Sequence, residues 1–379
     1  MFQTPEQKLN PFAFYARMRA EQPVAFFEAA QAWGVFRYDD VRSVLQNHAV
    51  FSSNNSDMLN TKNPSLIFSD PPRHTHLRNL VNRAFTSAAV ARLEPRIQEL
   101  ADELVSKVTA QGRMDVVADL AVPLPVAVIA EMLGIPRKDQ AQFKDWSDQH
   151  MAAISPGRKA DVSLAYLAEM DAYFGRILEY RRQNPGDDLL TGLLEVEADG
   201  DRLTEKDILN FARLLLVAGN ETTTNLIGNA VLCFLDFPEQ LALLRANPEL
   251  MPSAVEEALR YRSPVVTMPR VAKQDFELGG QVIKAGQRVM PLMAAANHDV
   301  AKFANPGQFD ITRDPNPHLA FGHGVHFCLG APLARLEARI ALATLLRYAQ
   351  QIERDGNEPL EPVNGLVANG VKRLPIRFH

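Results

Sequence analysis

The sequence predicts a mainly α-helical fold with small peripheral β-sheets, and three observations carry that expectation. Apolar residues recur at helical spacing through most of residues 70–261. Strand-like alternation is confined to the flanks of that block, at residues 23–38 and 265–289. One segment, residues 204–236, keeps a helical pattern over roughly 45–50 Å, enough to cross a whole domain.

Taken in order, residues 23–38 offer two short strands, and Pro71-Pro72 suits a helix start. Residues 90–108 read as one amphipathic helix with Leu93, Ile97, Leu100, Leu104 and Val108 on a stripe. Thr204 is an N-cap, with Glu205 and Asp207 in the first turn of the long helix. The middle of that helix, Leu214-Leu215-Leu216-Val217-Ala218-Gly219, is apolar all round and belongs in a core. Asn220-Glu221-Thr222-Thr223-Thr224 follows directly and has the wrong composition for a buried helix, a conflict expected at functional sites. Residues 265–289 alternate around turns at Gly279-Gly280 and Ala285-Gly286, and a last helix carries Leu333, Leu336 and Ile340.

Composition bounds the rest. There is no repeat, low-complexity tract or Gly/Ser linker, so residues 1–379 are expected to form one domain. At 46% hydrophobic the chain has material for a core that encloses a large flat ligand, and a net charge of −5 carries no nucleic-acid signature. The only cysteines, Cys233 and Cys328, make no motif together; Cys233 sits in an apolar helical run and reads as a small hydrophobe. Without a disulfide framework or a signal-peptide pattern the expected location is cytoplasmic. The longest apolar run, residues 120–130, contains Pro123 and Pro125 and is well short of the ~20 residues that span a bilayer.

The strongest chemical signal is Phe321-Gly322-His323-Gly324-Val325-His326-Phe327-Cys328-Leu329-Gly330. Two glycines ahead of the cysteine permit positive φ and a tight loop that aims backbone N–H groups at a thiolate. Gly330 lets the next helix start close beneath a planar ligand. Three other chemistries compete: an inert core cysteine, a zinc site of His323, His326 and Cys328, and a cysteine nucleophile with a distant histidine. The investment in backbone geometry around a single sulfur argues against the zinc and nucleophile readings.

This segment resembles the cysteine-loop signature of the cytochrome P450 family, Phe-x-x-Gly-x-x-x-Cys-x-Gly, at every defined position. Three further segments resemble that family in its order: Ala218-Gly219-Asn220-Glu221-Thr222-Thr223, Glu257-Ala258-Leu259-Arg260, and Asp70-Pro71-Pro72-Arg73-His74-Thr75-His76-Leu77-Arg78. The resemblance implies haem b, iron protoporphyrin IX, buried between the long helix and the cysteine-loop helix, with Cys328 on the iron. It implies that Glu221 and Thr222 relay protons to reduced dioxygen in a dry pocket. The Thr222 hydroxyl is placed to bond the Ala218 carbonyl four residues back and loosen the helix there. His74, Arg78, Arg270 and His326 are the implied propionate partners, and Phe321, Gly322, Ala218 and Gly330 the residues against the ring. Glu257, Arg260 and Arg313 are implied to be structural, as is Asn297-His298-Asp299, where many bacterial members have Asn-Arg-Asp.

By the same resemblance the substrate faces Leu214, Val217, Val265, Val266, Leu366 and Val367, an apolar lining that implies a lipophilic molecule such as a fatty acid, terpenoid or steroid. Residues 59–68 and 166–178 are expected to form a lid. The chain has no dinucleotide fingerprint, so electrons must come from outside, by resemblance from NAD(P)H through a ferredoxin reductase and a ferredoxin. Arg73, Arg83, Arg335 and Arg339 are expected on the ferredoxin face. A non-catalytic haem-thiolate sensor is the alternative, and the Glu221-Thr222 pair argues against it.

Overall fold

The structure, a computed structural model, describes residues 4–54, 65–154, 165–198 and 201–378. Its axis is the helix Glu205–Asp236, 32 residues long. The Asp207 N–H donates to the Thr204 hydroxyl at 3.1 Å, and the Asp207 carboxylate accepts from the Thr204 N–H, closing a capping box. From Thr223 to Phe234 every residue of this helix is buried. Helices Pro123–Met132, Met251–Tyr261 and Ala331–Tyr348 pack against it. Together they close the largest apolar cluster, with Ile97, Leu120, Ile129, Leu216, Ile227 and Leu345 at its centre. Cys233 is fully buried there, and burial pushes its thiol up to about 12, so it behaves as a small apolar side chain.

The stripe over residues 90–108 is present, but it belongs to two helices, Ser87–Arg92 and Glu94–Thr109. Pro95 explains the break: without an N–H it cannot continue a helix from Ala91, yet it suits the first turn of a new one.

The five-stranded sheet is assembled from distant pieces. Val24–Phe27 pairs antiparallel with Ala32–Val35, which runs parallel to Arg288–Pro291; Arg270–Ala272 and Phe51–Ser52 complete the order. Gly279 and Gly280, at φ of +56° and +75°, make the turn of the adjoining hairpin Phe276–Ile283. This sheet brings Arg270, at a strand start, beside the helix Arg73–Ala84 and the cysteine loop.

A buried polar knot ties helix Met251–Tyr261 to the loop before the cysteine. Arg260 forks onto both oxygens of Glu257 at 2.8 Å, with both side chains fully buried, and donates to the carbonyls of Asn297, Pro306 and Gln308. Arg313 joins Glu257 at 3.1 Å, and the Asp310 N–H and Asn316 amide complete its shell. Asn297 accepts from the Leu319 N–H at 2.7 Å, and Asp299 from the Tyr38 N–H at 2.8 Å. His298 meets the Tyr261 carbonyl at 2.8 Å, so these three residues are packing hubs. Among the described residues no single helix is long and apolar enough to cross a membrane.

Candidate active site

The cysteine loop is a backbone device. Gly322 and Gly324 sit at φ of +75° and +73°, a region L side chains rarely adopt. At Gly324 a Cβ would also lie 3.1 Å from Gln46 Cα and 3.2 Å from Leu45 O. The Cys328 N–H donates to the Phe321 carbonyl at 2.9 Å, while the N–H groups of Gly330 and Ala331 turn toward the sulfur. Burial pushes the Cys328 thiol up; those N–H groups and the charges of Arg78 and Arg335 pull the other way. A metal bound at such a sulfur removes its proton outright.

His74, Arg78, Arg270 and His326 come together from three separate parts of the chain. The rings of His74 and His326 lie 4.1 Å apart, and His74 and Arg270 are buried. Neither nitrogen of His74, nor Nε2 of His326, has a hydrogen-bond partner among the described residues. Burial, then the Arg78 charge, brings His74 down to about 4; burial, then His74 and Arg270, brings His326 down to about 3. Burial also lowers Arg270, to about 10, and Arg78. Asp70 opposes these positive groups, but its carboxylate is engaged by Ser52 and the Ser53 N–H. Crowded cations and orphaned donors are a site short of negative charge. A porphyrin with two carboxylates beside a cysteine fits it.

The zinc reading does not fit. His323 turns to Arg42 and His326 to His74, and among the described residues no three ligating side chains converge.

Opposite in chemistry is a stripe on the central helix. Leu214, Val217, Ala218, Glu221 and Thr222 remain accessible, while Leu215, Leu216, Asn220, Thr223 and Thr224 beside them are buried. The three- and four-residue spacing places these accessible residues on one face of the helix. The Thr222 hydroxyl donates to the Ala218 carbonyl at 2.7 Å. Partial burial raises the pKa of Glu221, moderated by Lys8 from the helix Pro5–Leu9. That lysine had no signal in the sequence, since only the fold brings the N-terminus there.

Leu366 and Val367 are 43% and 42% exposed, large for apolar side chains. Val265 and Val266 lie otherwise. The Val266 N–H donates to Val367 O at 2.7 Å, and Thr267 bridges Leu292. Held from both sides, Val265 packs on the sheet-side cluster, and Val266 is buried in the cluster that also holds Leu292, Ala294 and Met290. The expected lid loop falls largely on residues 55–64, outside the described residues. Of the arginines expected on a docking face, Arg73 pairs with Asp207, Arg335 with Glu256 and Arg339 with Glu94. Their positive charge is largely cancelled locally.

Glu337 is a second buried acid near the central helix. It lies on the helix Ala331–Tyr348, facing Thr223, fully enclosed, and burial drives its carboxyl up to about 8. Its only sequence signal is an acid amid the apolar run Leu333, Leu336 and Ile340. A raised folded pKa keeps Glu337 protonated from about 4.5 to about 8 while the unfolded chain ionises, so the fold binds the extra proton. Stability therefore falls as pH rises through that window, by up to roughly 5 kcal/mol. Glu337→Gln is expected to flatten that slope and exceed the parent at pH about 9 in urea unfolding. Parallel profiles would show that Glu337 ionises in the fold without cost.

Comparison with known proteins agrees with this geometry. A family profile described as Cytochrome P450 matches residues 26–145 and 167–374. The chain is 46% identical over 376 residues to the putative cytochrome P450 YjiB of Bacillus subtilis, covering 97% of this chain and 94% of that one. It is 40% identical to the vitamin D(3) 25-hydroxylase of Pseudonocardia autotrophica, over 97% and 93% of the two chains. The crystal structure of CYP109E1 from Bacillus megaterium in complex with testosterone superposes with a TM-score of 0.91 at 43% identity, over 98% and 99% of the chains.

Proposed function

The chain belongs to the cytochrome P450 family and is a haem b monooxygenase, and from that premise we propose that residues 1–379 act as one catalytic domain oxidising a lipophilic, steroid-sized molecule. The observation that carries this reading is the accessible stripe beside buried neighbours in the middle of the central helix, where apolar Leu214 and Val217 give way to Glu221 and Thr222. Bound haem supplies activation of O2, and a thiolate ligand favours O–O cleavage by pushing electron density onto the iron.

The chain's own residues do the rest. Cys328 is the iron ligand, presented by the Gly322–Gly324 turn and the N–H groups of Gly330 and Ala331. Phe321, Gly322, Ala218 and Gly330 border the ring. His74, Arg78, Arg270 and His326 hold the propionates, whose charge meets the donors left without partners. Thr222 holds its hydroxyl against the Ala218 carbonyl on the accessible stripe, and Glu221, tuned by partial burial and Lys8, supplies protons to it. Leu214, Val217, Leu366 and Val367 exclude water and accept the substrate. Relatives bear on its class: one is named a vitamin D(3) hydroxylase, and CYP109E1 has been crystallised with testosterone and with corticosterone. The electron donor is a ferredoxin reduced by its NAD(P)H-dependent reductase, and the setting is the cytoplasm.

Titrating the haem protein with steroids, long-chain fatty acids and small hydrophilic acids tests the substrate class. Steroids are expected to shift the iron spin state at micromolar concentration; a response confined to hydrophilic acids overturns it. Thr222→Ala is expected to bind the same ligands while releasing most reducing equivalents as hydrogen peroxide, with product per NAD(P)H falling about tenfold or more. Unchanged coupling would remove Thr222 from the relay.

A further inference from the structure

Arg335 has a partner set that a docking residue would not need. Its Nε and one terminal nitrogen fork onto the two oxygens of Glu256 at 2.7 Å each. The guanidinium carbon lies 4.6 Å from the ring centroid of Phe321. On the same ring, His318 packs at 6.0 Å, and its Nε2 returns to Glu256 at 3.1 Å. His318 also accepts from the Ala320 N–H at 3.3 Å. The circuit Glu256, Arg335, Phe321 and His318 thus closes on itself, and the Phe321 carbonyl accepts the Cys328 N–H at 2.9 Å.

A half-exposed pair of this kind contributes little to stability, so fold maintenance is a poor account of it. Burial works against ionisation of Glu256, but Arg335 and His318 outweigh it and hold the carboxyl at about 2. One negative and one positive charge therefore stand permanently behind the cysteine loop, and the field of Arg335 reaches Cys328. Charges fixed around a ligating sulfur tune the metal it binds.

We propose that Glu256 is a positioning residue: by clamping Arg335 across Phe321 it fixes the cysteine loop and sets the net charge behind Cys328, and so the reduction potential of the iron bound there. This rests on the reading of Cys328 as the iron ligand. Both charges stay, one cancelling the other, and the clamp is what keeps them in register.

Equilibrium spectroelectrochemical titration of the haem-loaded protein tests this without any docking partner. Glu256→Gln leaves Arg335 unmatched and is expected to favour the ferrous form by about tenfold, a positive shift of about 59 mV for one electron. Arg335→Gln leaves Glu256 unmatched and is expected to shift the midpoint by a similar amount the other way. The double variant should return to within about threefold of the parent. A merely structural role moves both single variants in the same direction, and that result, or midpoints equal to the parent's, overturns the proposal. Should Glu256→Gln fail to take up haem, Arg335→Gln and the double variant decide alone, and an Arg335→Gln midpoint at the parental value overturns it. The reduced, carbonyl-bound spectrum separates the two readings: a parent without the red-shifted Soret band removes Cys328 as ligand, whereas that band with unmoved midpoints removes only the role of Glu256.

Discussion

Cys328→Ala is expected to abolish the red-shifted Soret band of the reduced, carbonyl-bound protein and to cut O2-dependent turnover by about a thousandfold or more, equivalent to about 4 kcal/mol of barrier. Nothing nearby can substitute for the sulfur. The other cysteine, Cys233, is fully buried on the central helix, with its thiol pushed up to about 12. His326, close in sequence, packs its ring on His74. The loss should be local, because the loop's shape comes from Gly322, Gly324 and the bonds around Phe321. Far-ultraviolet circular dichroism should therefore stay parental. A variant that keeps the red-shifted band would move the ligand to another residue.

Glu257→Ala is expected to cost about 3–5 kcal/mol, because it leaves Arg260 and Arg313 without their shared counter-charge in a dry interior. Against a total stability of roughly 5–15 kcal/mol, that is enough to leave much of the chain unfolded at moderate temperature. The carbonyls of Asn297, Pro306 and Gln308 still accept from Arg260, but they carry no compensating charge. The half-exposed pair Arg339–Glu94 is the control: Glu94→Ala should change stability by about 1 kcal/mol or less. Chemical unfolding with haem retention as a second readout measures both. If Glu257→Ala unfolds with the parent, the knot is not what holds the helix Met251–Tyr261 to the loop before the cysteine.

Local chemistry was legible wherever one segment sufficed. The Thr204 cap, the length of the central helix, the glycine turns and the Thr222–Ala218 hydrogen bond all involve residues within a few positions of one another. Pro95 shows the limit even there: periodicity reported the buried stripe correctly but was blind to the break, because a proline inside the pattern does not disturb its period. Val266 shows a different limit. Its hydrogen bonds run to Val367, in an irregular stretch, and to Ala294, on the short helix Met293–Ala296, and no feature of Pro264-Val265-Val266 foretells these distant partners.

By itself the sequence determined the helical class, the cysteine loop and the polar break in an apolar helix, since each is written in composition and short-range spacing. Only the tertiary structure decided which charges are spent and which are left wanting. Arg335 and Glu256, Lys8 and Glu221, and Glu337 and Thr223 are joined across long stretches of chain. The state of an ionisable group depends on the dielectric around it and the charges within a few ångströms, and both are properties of packing. An arginine has the same letter whether it greets a partner or clamps a loop, and the fold alone distinguishes the two.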